Sequence, residues 1–274
     1  MKKVLAAFML LGSVMSAMAQ DTPVKVRLEA EAGAIKIMLH TYRVGDTGTT
    51  FDFVENGGQE LLFPFQRLTA SLGFLERHEV RFLYQPLELN TEITARAPFT
   101  IDGVNFIADE PVDITYSFPF YRFTYLYDFL PGAAELSAGA ALQFRNASIR
   151  FTSVDGSKRA VSQNLGLVPA LAVAGKFPFG DGLFLAFEAT GLYASSAFIN
   201  GADFEFEGSI LDASIRAGAR LGNRMEAFVN YRFLGGSASG VSQYPNIYWT
   251  QSTEKSTANY LATTSLTLGA TLEL

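Results

Sequence analysis

The chain has no cysteine, one tryptophan and two histidines among its 274 residues. The first absence excludes disulfides, thiolate metal ligands and a cysteine nucleophile. With only His40 and His78, histidine metal clusters and histidine acid–base pairs have little to draw on. Positive charge is also scarce. The 21 basic residues face 27 acidic ones, a net charge of −6, which argues against nucleic acid as a partner. Beyond the N-terminus there is no long apolar run. The longest, Leu165 to Ala174, is interrupted by Pro169, whereas a helical span needs ~17–25 residues. There is no P-loop and no G-x-G-x-x-G, and no EF-hand spacing. Asp102-Gly103 and Asp155-Gly156-Ser157 read as turn chemistry. No cofactor is expected.

What is present is apolar residue in quantity, 49% of the chain, distributed without helical runs. A chain that spans lipid without helices must pair every backbone N–H and C=O inside a sheet closed on itself. The N-terminus supplies a matching address. Lys2 and Lys3 precede an apolar stretch from Val4 to Leu11, and Ala17-Met18-Ala19 forms an A-x-A cleavage site. Residues 1–19 are therefore read as a secretory signal peptide, and 20–274 as the mature domain. Removing the two lysines takes the net charge from −6 to −8.

The mature sequence alternates with period two. Ala227, Val229, Tyr231 and Phe233 share one face, and Glu226, Phe228, Asn230 and Arg232 the other. At the C-terminus Tyr260, Ala262, Thr264, Leu266 and Leu268 oppose Thr263, Ser265 and Thr267. This is the pattern of a barrel strand, apolar outside and polar inside. Four short breaks stand out, at 75–78, 131–134, 178–182 and 222–224. Longer polar segments fall at 42–59, 89–111, 153–163, 198–206 and 235–258. Nine connections make ten strands, over 25–39, 60–74, 79–89, 112–128, 135–151, 164–177, 183–197, 206–221, 225–235 and 258–274. The reading is an all-β, transmembrane antiparallel up-and-down barrel. Short turns and both termini lie in the periplasm, and long loops lie outside. The stretch from Thr91 to Glu110 reads as an extension of one hairpin turning at Asp102-Gly103. Lys36 interrupts the pattern of the first strand.

Parity also collects charge on one face: Arg27, Glu29, Glu31, Arg67, Glu79, Arg81, Arg122, Arg145, Glu188, Asp212, Arg216, Arg220, Glu226 and Arg232. An arginine facing lipid at the midplane costs ~2–4 kcal/mol, so five reversed arginines would cost roughly 10–20 kcal/mol. That equals or exceeds the ~5–15 kcal/mol stability of a typical domain. The charges are therefore assigned to the lumen, where opposite signs can pair. Barrels near eight strands are filled by side chains, and aqueous channels open near sixteen. A ten-stranded barrel lined with these groups is expected to be largely filled by a charged network. Among Phe118, Phe120, Tyr121, Phe123, Tyr125, Tyr127 and Phe129, those facing out suit interfacial girdles.

Surface enzymes on small barrels act through rim histidines, serines and acids. Here His40 has Thr41 and Asp46 nearby but no serine or acid at a telling spacing. It is assigned to an exposed position near the outer end of the first strand, with His78 in a periplasmic turn. No catalytic or metal-binding residue is assigned.

These features resemble small outer-membrane barrels of OmpA-, OmpX- and OmpW-like architecture. More specifically, Arg77-His78-Glu79-Val80-Arg81, Phe120-Tyr121-Arg122-Phe123-Thr124-Tyr125 and Arg145-Asn146-Ala147 are similar to recurring segments of a bacterial outer-membrane barrel family. The resemblance implies the fold over nearly the whole mature chain. It brings no activity and no functional residues, and the terminal Leu274 departs from the aromatic end usual in barrel-assembly signals. The expected setting is a Gram-negative outer membrane. The expected partners are outer-membrane lipid, lipopolysaccharide and the barrel-assembly machinery, and the chain is expected to be a monomer. The expected role is structural or surface interaction, without enzymatic activity. The alternatives are a narrow porin-like channel for ions or small solutes and a surface enzyme modifying lipid A or peptides. The loop around Tyr244, Tyr248 and Trp249 is the expected contact surface.

Overall fold

Alternation sends successive side chains to opposite faces, and an extended sheet with one apolar face has to close or stack to hide its edges. In the computed structural model it closes. The structure describes residues 24–45, 48–130, 132–195, 206–241 and 256–274. The expected signal peptide, the loop at 198–205 and Tyr244, Tyr248 and Trp249 lie outside the described residues.

Ten long strands form the wall: β1 (Lys25–Val44), β3 (Leu62–Phe74), β4 (His78–Gln85), β9 (Phe120–Asp128), β10 (Glu135–Ser153), β11 (Arg159–Phe179), β12 (Leu183–Ser195), β13 (Phe206–Arg220), β14 (Met225–Val241) and β15 (Ser256–Glu273). Each pairs antiparallel with its neighbours in chain order, and β15 pairs with β1 to close the cylinder. Five shorter strands belong to the loops: β2 (Phe51–Asp52), β5 (Glu88–Thr94), β6 (Phe99–Ile101), β7 (Val104–Phe106) and β8 (Pro111–Ser117). No helix occurs among the described residues. Among the described residues, β1 begins and β15 ends at the end of the barrel that carries the four short turns.

The strands reach farther than the sequence pattern suggested. β10 and β11 run on until only the turn around Asp155-Gly156 separates them, so most of 153–163 is ladder. The β4 strand stops at Pro86 and β9 is preceded by Pro119. Proline has no N–H for the ladder, and the breaks let β5 and β8 continue as a separate arm. β8 also pairs with the far end of β10, which anchors that arm to the wall. The arm ends in the β6–β7 hairpin, whose Asp102 (φ 49°) and Gly103 (φ 77°) take the left-handed conformations of a tight type I′ turn.

The outer face is apolar. Leu68, Phe82, Tyr121, Phe123, Leu171, Leu185, Ile215, Val229, Tyr231, Leu266 and Leu268 are exposed. A belt of this size around a barrel is the surface that lipid covers. Inside, two materials fill the lumen in sequence. Polar and charged side chains occupy the half nearest the short turns. An aromatic and aliphatic core occupies the half nearest the long loops.

That second core was not expected. The segment after β1 turns back into the barrel, where β2 pairs with Thr41 and Tyr42, and the Phe53 N–H donates to the His40 carbonyl at 2.9 Å. The Asp52 carboxylate accepts the Val54 and Glu55 N–H groups and fixes that reversal. Phe51, Phe53, Phe99, Phe106, Phe118, Phe120, Tyr116 and Phe151 are then buried together with Ile35, Ile37, Leu87 and Leu89. The β5–β8 arm, read from sequence as an outward extension, contributes much of this plug.

The occluded lumen as candidate functional site

Lumen-facing charges come from strands far apart in sequence, and barrel closure brings them together. At the centre Asp212 on β13 accepts bonds from three guanidinium groups: Arg67 Nη1 at 2.9 Å, Arg122 Nη1 at 2.8 Å and Arg232 Nη1 at 2.5 Å. Glu188 on β12 takes Arg67 Nη2 at 2.9 Å and Arg232 Nη2 at 2.6 Å, with Arg81 and Arg216 at 3.6 and 3.7 Å. Glu31 on β1 faces Arg232, Arg67 and Arg216, and accepts Asn230 Nδ2 at 2.7 Å and the Thr267 hydroxyl at 2.8 Å. Asp212 and Arg232 are each 1% exposed, and Arg122 is 3% exposed. Charges so enclosed persist only when paired and hydrogen-bonded, and here each acid bridges several arginines.

Towards the short turns the pairs become simpler. Arg216 meets Glu29 at 2.7 Å, Arg81 meets Glu79 at 2.5 Å, and Arg27 meets both Glu135 and Glu273. Lys176 holds Glu226 with both carboxylate oxygens at 2.6 Å. Of the lumen residues inferred from parity, twelve stand in these contacts. Two do not. Arg220 is exposed at the mouth and has no ion-pair partner among the described residues, because its register partner Glu226 is taken by Lys176. Arg145 lies on β10, and its side chain is outside the described part of the structure.

Several participants escaped the sequence reading. Lys176 shares parity with the buried Ala172 and Ala174, a signal hidden in a strand made mostly of small residues. Glu135 and Glu273 sit at strand ends, where alternation is hard to score. Gln143 accepts both Arg122 Nε and Nη2, and Gln85 accepts Arg67 Nη1. These two glutamines cap the cluster on the side facing the apolar plug.

His40 requires a correction: it is not an exposed rim residue. The β1–β15 register slips between Ile37 and Leu39, a bulge that places Met38 and Leu39 both outside. One extra residue reverses parity beyond it, so His40, Tyr42 and Val44 point inward where odd-numbered residues did before. His40 is fully buried, stacked on Phe53 at 4.0 Å and edge-on to Tyr116 at 4.3 Å. Its Nδ1 is 2.7 Å from Gln59 Oε1, and its Nε2 has no hydrogen-bond partner among the described residues. His78 is at the opposite end, 2.7 Å from the Tyr125 hydroxyl. The two histidines share no site. Among the described residues no group of three or more His, Asp or Glu is arranged to hold a metal.

No protein-family model and no curated protein matches this chain. Solved structures do. The outer membrane protease OmpT of Escherichia coli superposes with a TM-score of 0.51 at 10% identity, covering 91% of this chain and 97% of that one. A FadL homologue of Pseudomonas aeruginosa gives 0.36 at 8%, covering 93% and 91%. Ail of Yersinia pestis gives 0.28 at 8%, covering 88% and 98%. At these identities the likeness is one of fold. Together with the closed cylinder, its apolar outer belt and its polar interior, the likeness to OmpT establishes that this chain has the fold of a ten-stranded outer-membrane β-barrel.

Proposed function

We propose that this outer-membrane barrel is non-conducting and non-enzymatic, and that it serves as a rigid support for the surface formed at its long-loop end. The observation that carries this reading is the double obstruction of the lumen. A solute crossing it would have to part the ion cluster around Asp212 and then the plug around Phe53, Phe106, Phe120 and Phe151, each of which is fully buried. Separating the first strands several enclosed charges at once, each a loss of kcal/mol order. Displacing the second exposes four phenylalanines to water, at roughly 1.5–3 kcal/mol apiece. The non-enzymatic reading is supported by the enclosure of His40 and its separation from His78. The protease named among the structural neighbours supports the shape of the barrel and nothing about its chemistry.

Planar-bilayer recording of the purified, reconstituted barrel tests the sealed reading. The expected record is flat. Discrete, reproducible conductance steps would overturn it in favour of a narrow channel. Incubation with lipopolysaccharide and with peptide pools, read by mass spectrometry, is expected to return both unchanged. A defined cleavage product would establish a surface enzyme instead.

A further inference from the structure

The obstruction closes the lumen from one side only. Below the ion cluster a cavity of about 90 Å³ lies between Arg81, Glu188, Arg216 and Glu29. It shares Arg27, Glu135, Lys176 and Glu226 with a wider cavity of about 460 Å³ that opens at the short-turn end. The two adjoin at the ion pairs Arg27–Glu135 and Lys176–Glu226, and the wider one is a cup with the charged cluster lying inward of it.

The wider cavity has more cations than it can pair. Five basic residues line its mouth (Lys25, Arg27, Lys176, Arg220 and Arg224) against three carboxylates, Glu135, Glu226 and Glu273. The two deeper cations take all three acids: Arg27 bonds Glu135 and Glu273, and Lys176 bonds Glu226. Lys25, Arg220 and Arg224 are left exposed, with no ion-pair partner among the described residues. Lys25 shares parity with Arg27 and Glu29, and Arg220 shares parity with Asp212 and Arg216, so both belong to the lumen side of the wall.

We propose that this cup is a binding site for a small, soluble, multivalent oxyanion, such as a phosphate- or carboxylate-bearing metabolite, entering from the short-turn end. By the topology read from the sequence, that end is periplasmic. Concave walls with excess charge of one sign concentrate the opposite ion. Guanidinium forks such as those of Arg220 and Arg224 match the geometry of oxyanions. The polar walls and the shut floor make the site a receptor rather than a passage. The receptor assignment rests on the sealed lumen proposed above, but anion binding and conductance are read by different assays, so the failure of one is distinguishable from the failure of the other.

The test is calorimetric titration of the full-length mature barrel, in zwitterionic detergent at low ionic strength, with inorganic pyrophosphate. Saturable binding near one equivalent is expected, weakening as salt is raised. The Arg220→Gln/Arg224→Gln variant is expected to lose at least about tenfold in affinity, roughly 1.4 kcal/mol. Arg220→Lys/Arg224→Lys should keep most of it, and Arg96→Gln, in the loop between β5 and β6, should keep all of it. Gel migration before and after boiling confirms that each variant is folded. Absence of saturable binding, or equal affinity in the double glutamine variant, overturns the proposal. If pyrophosphate bound in zwitterionic bilayers is displaced when anionic phospholipid is added, the site recognises lipid and the assignment to a soluble anion is wrong.

Discussion

Replacing Asp212 by asparagine tests the organisation of the lumen most directly. The side chain keeps its shape and loses its charge. Arg67 and Arg232 retain Glu188 and Glu31 as partners, but Arg122 has no other carboxylate within ion-pair distance among the described residues. Its guanidinium would remain enclosed, held only by the neutral Gln143. Breaking a buried pair by removing one partner costs ~3–5 kcal/mol, mostly because the remaining charge is uncompensated. At about 2–4 °C per kcal/mol for a domain of this size, the loss lowers the unfolding midpoint by roughly 10 °C. The assay is the temperature at which an unheated sample loses its compact gel migration, checked against guanidinium unfolding in lipid vesicles. A second substitution decides the cause. If stranded charge is responsible, Asp212→Asn/Arg122→Met should be more stable than Asp212→Asn alone, because it removes the unpaired cation. An Asp212→Asn barrel that melts with wild type, or a double variant as unstable as the two single losses added, would refute this account of the cluster.

Other consequences follow from the same structure. His40→Leu and Gln59→Leu should each cost about 1–3 kcal/mol by stranding the other's polar group, and the double variant should cost less than their sum in a mutant cycle by chemical denaturation. Phe53→Ala should destabilise by about 3–5 kcal/mol through the cavity it leaves in the plug. Ile215→Arg, on the lipid face of β13, should cost about 2–4 kcal/mol in vesicles. The cost should shrink in detergent, where the head can reach water. At the β10–β11 turn, hydrogen bonds from the Ser157 N–H and the Ser157 and Ser153 hydroxyls hold the Asp155 carboxyl down at about 2. A depressed carboxylate stabilises above its unfolded pKa of ~3.9 and loses that contribution as pH falls through its folded value. Protease cutting at this turn should therefore stay constant from pH 7 to about pH 4, rise towards pH 2, and be high throughout in Asp155→Asn.

How much of this was legible in the chain follows from the range of each signal. Alternation is local: residues i and i+2 share a face whatever the strand's partner. The ten strands, their two faces and the inward placement of Arg67, Arg122, Asp212 and Arg232 could therefore be read directly. Lys176 obeyed the same rule but was masked by the small residues around it. Which acid meets which arginine was not legible, because Asp212 reaches Arg67 across 145 positions of sequence and only closure at a particular register makes them neighbours.

By itself, then, the sequence determined a sheet with one apolar and one charged face. Lipid requires such a sheet to close, since no water is available there to satisfy an open edge. Tertiary structure alone decided what blocks the barrel. The bulge at Met38 reverses the parity of β1 and turns His40 from rim to core, and the apolar run Ile37-Met38-Leu39 does not by itself say which residue is inserted. The phenylalanines at 51, 53, 99 and 106 lie in segments whose polar content marks them as loops. Only the breaks at Pro86 and Pro119 and the backward pairing of β2 fold them inside, where burying their rings outweighs leaving them in water.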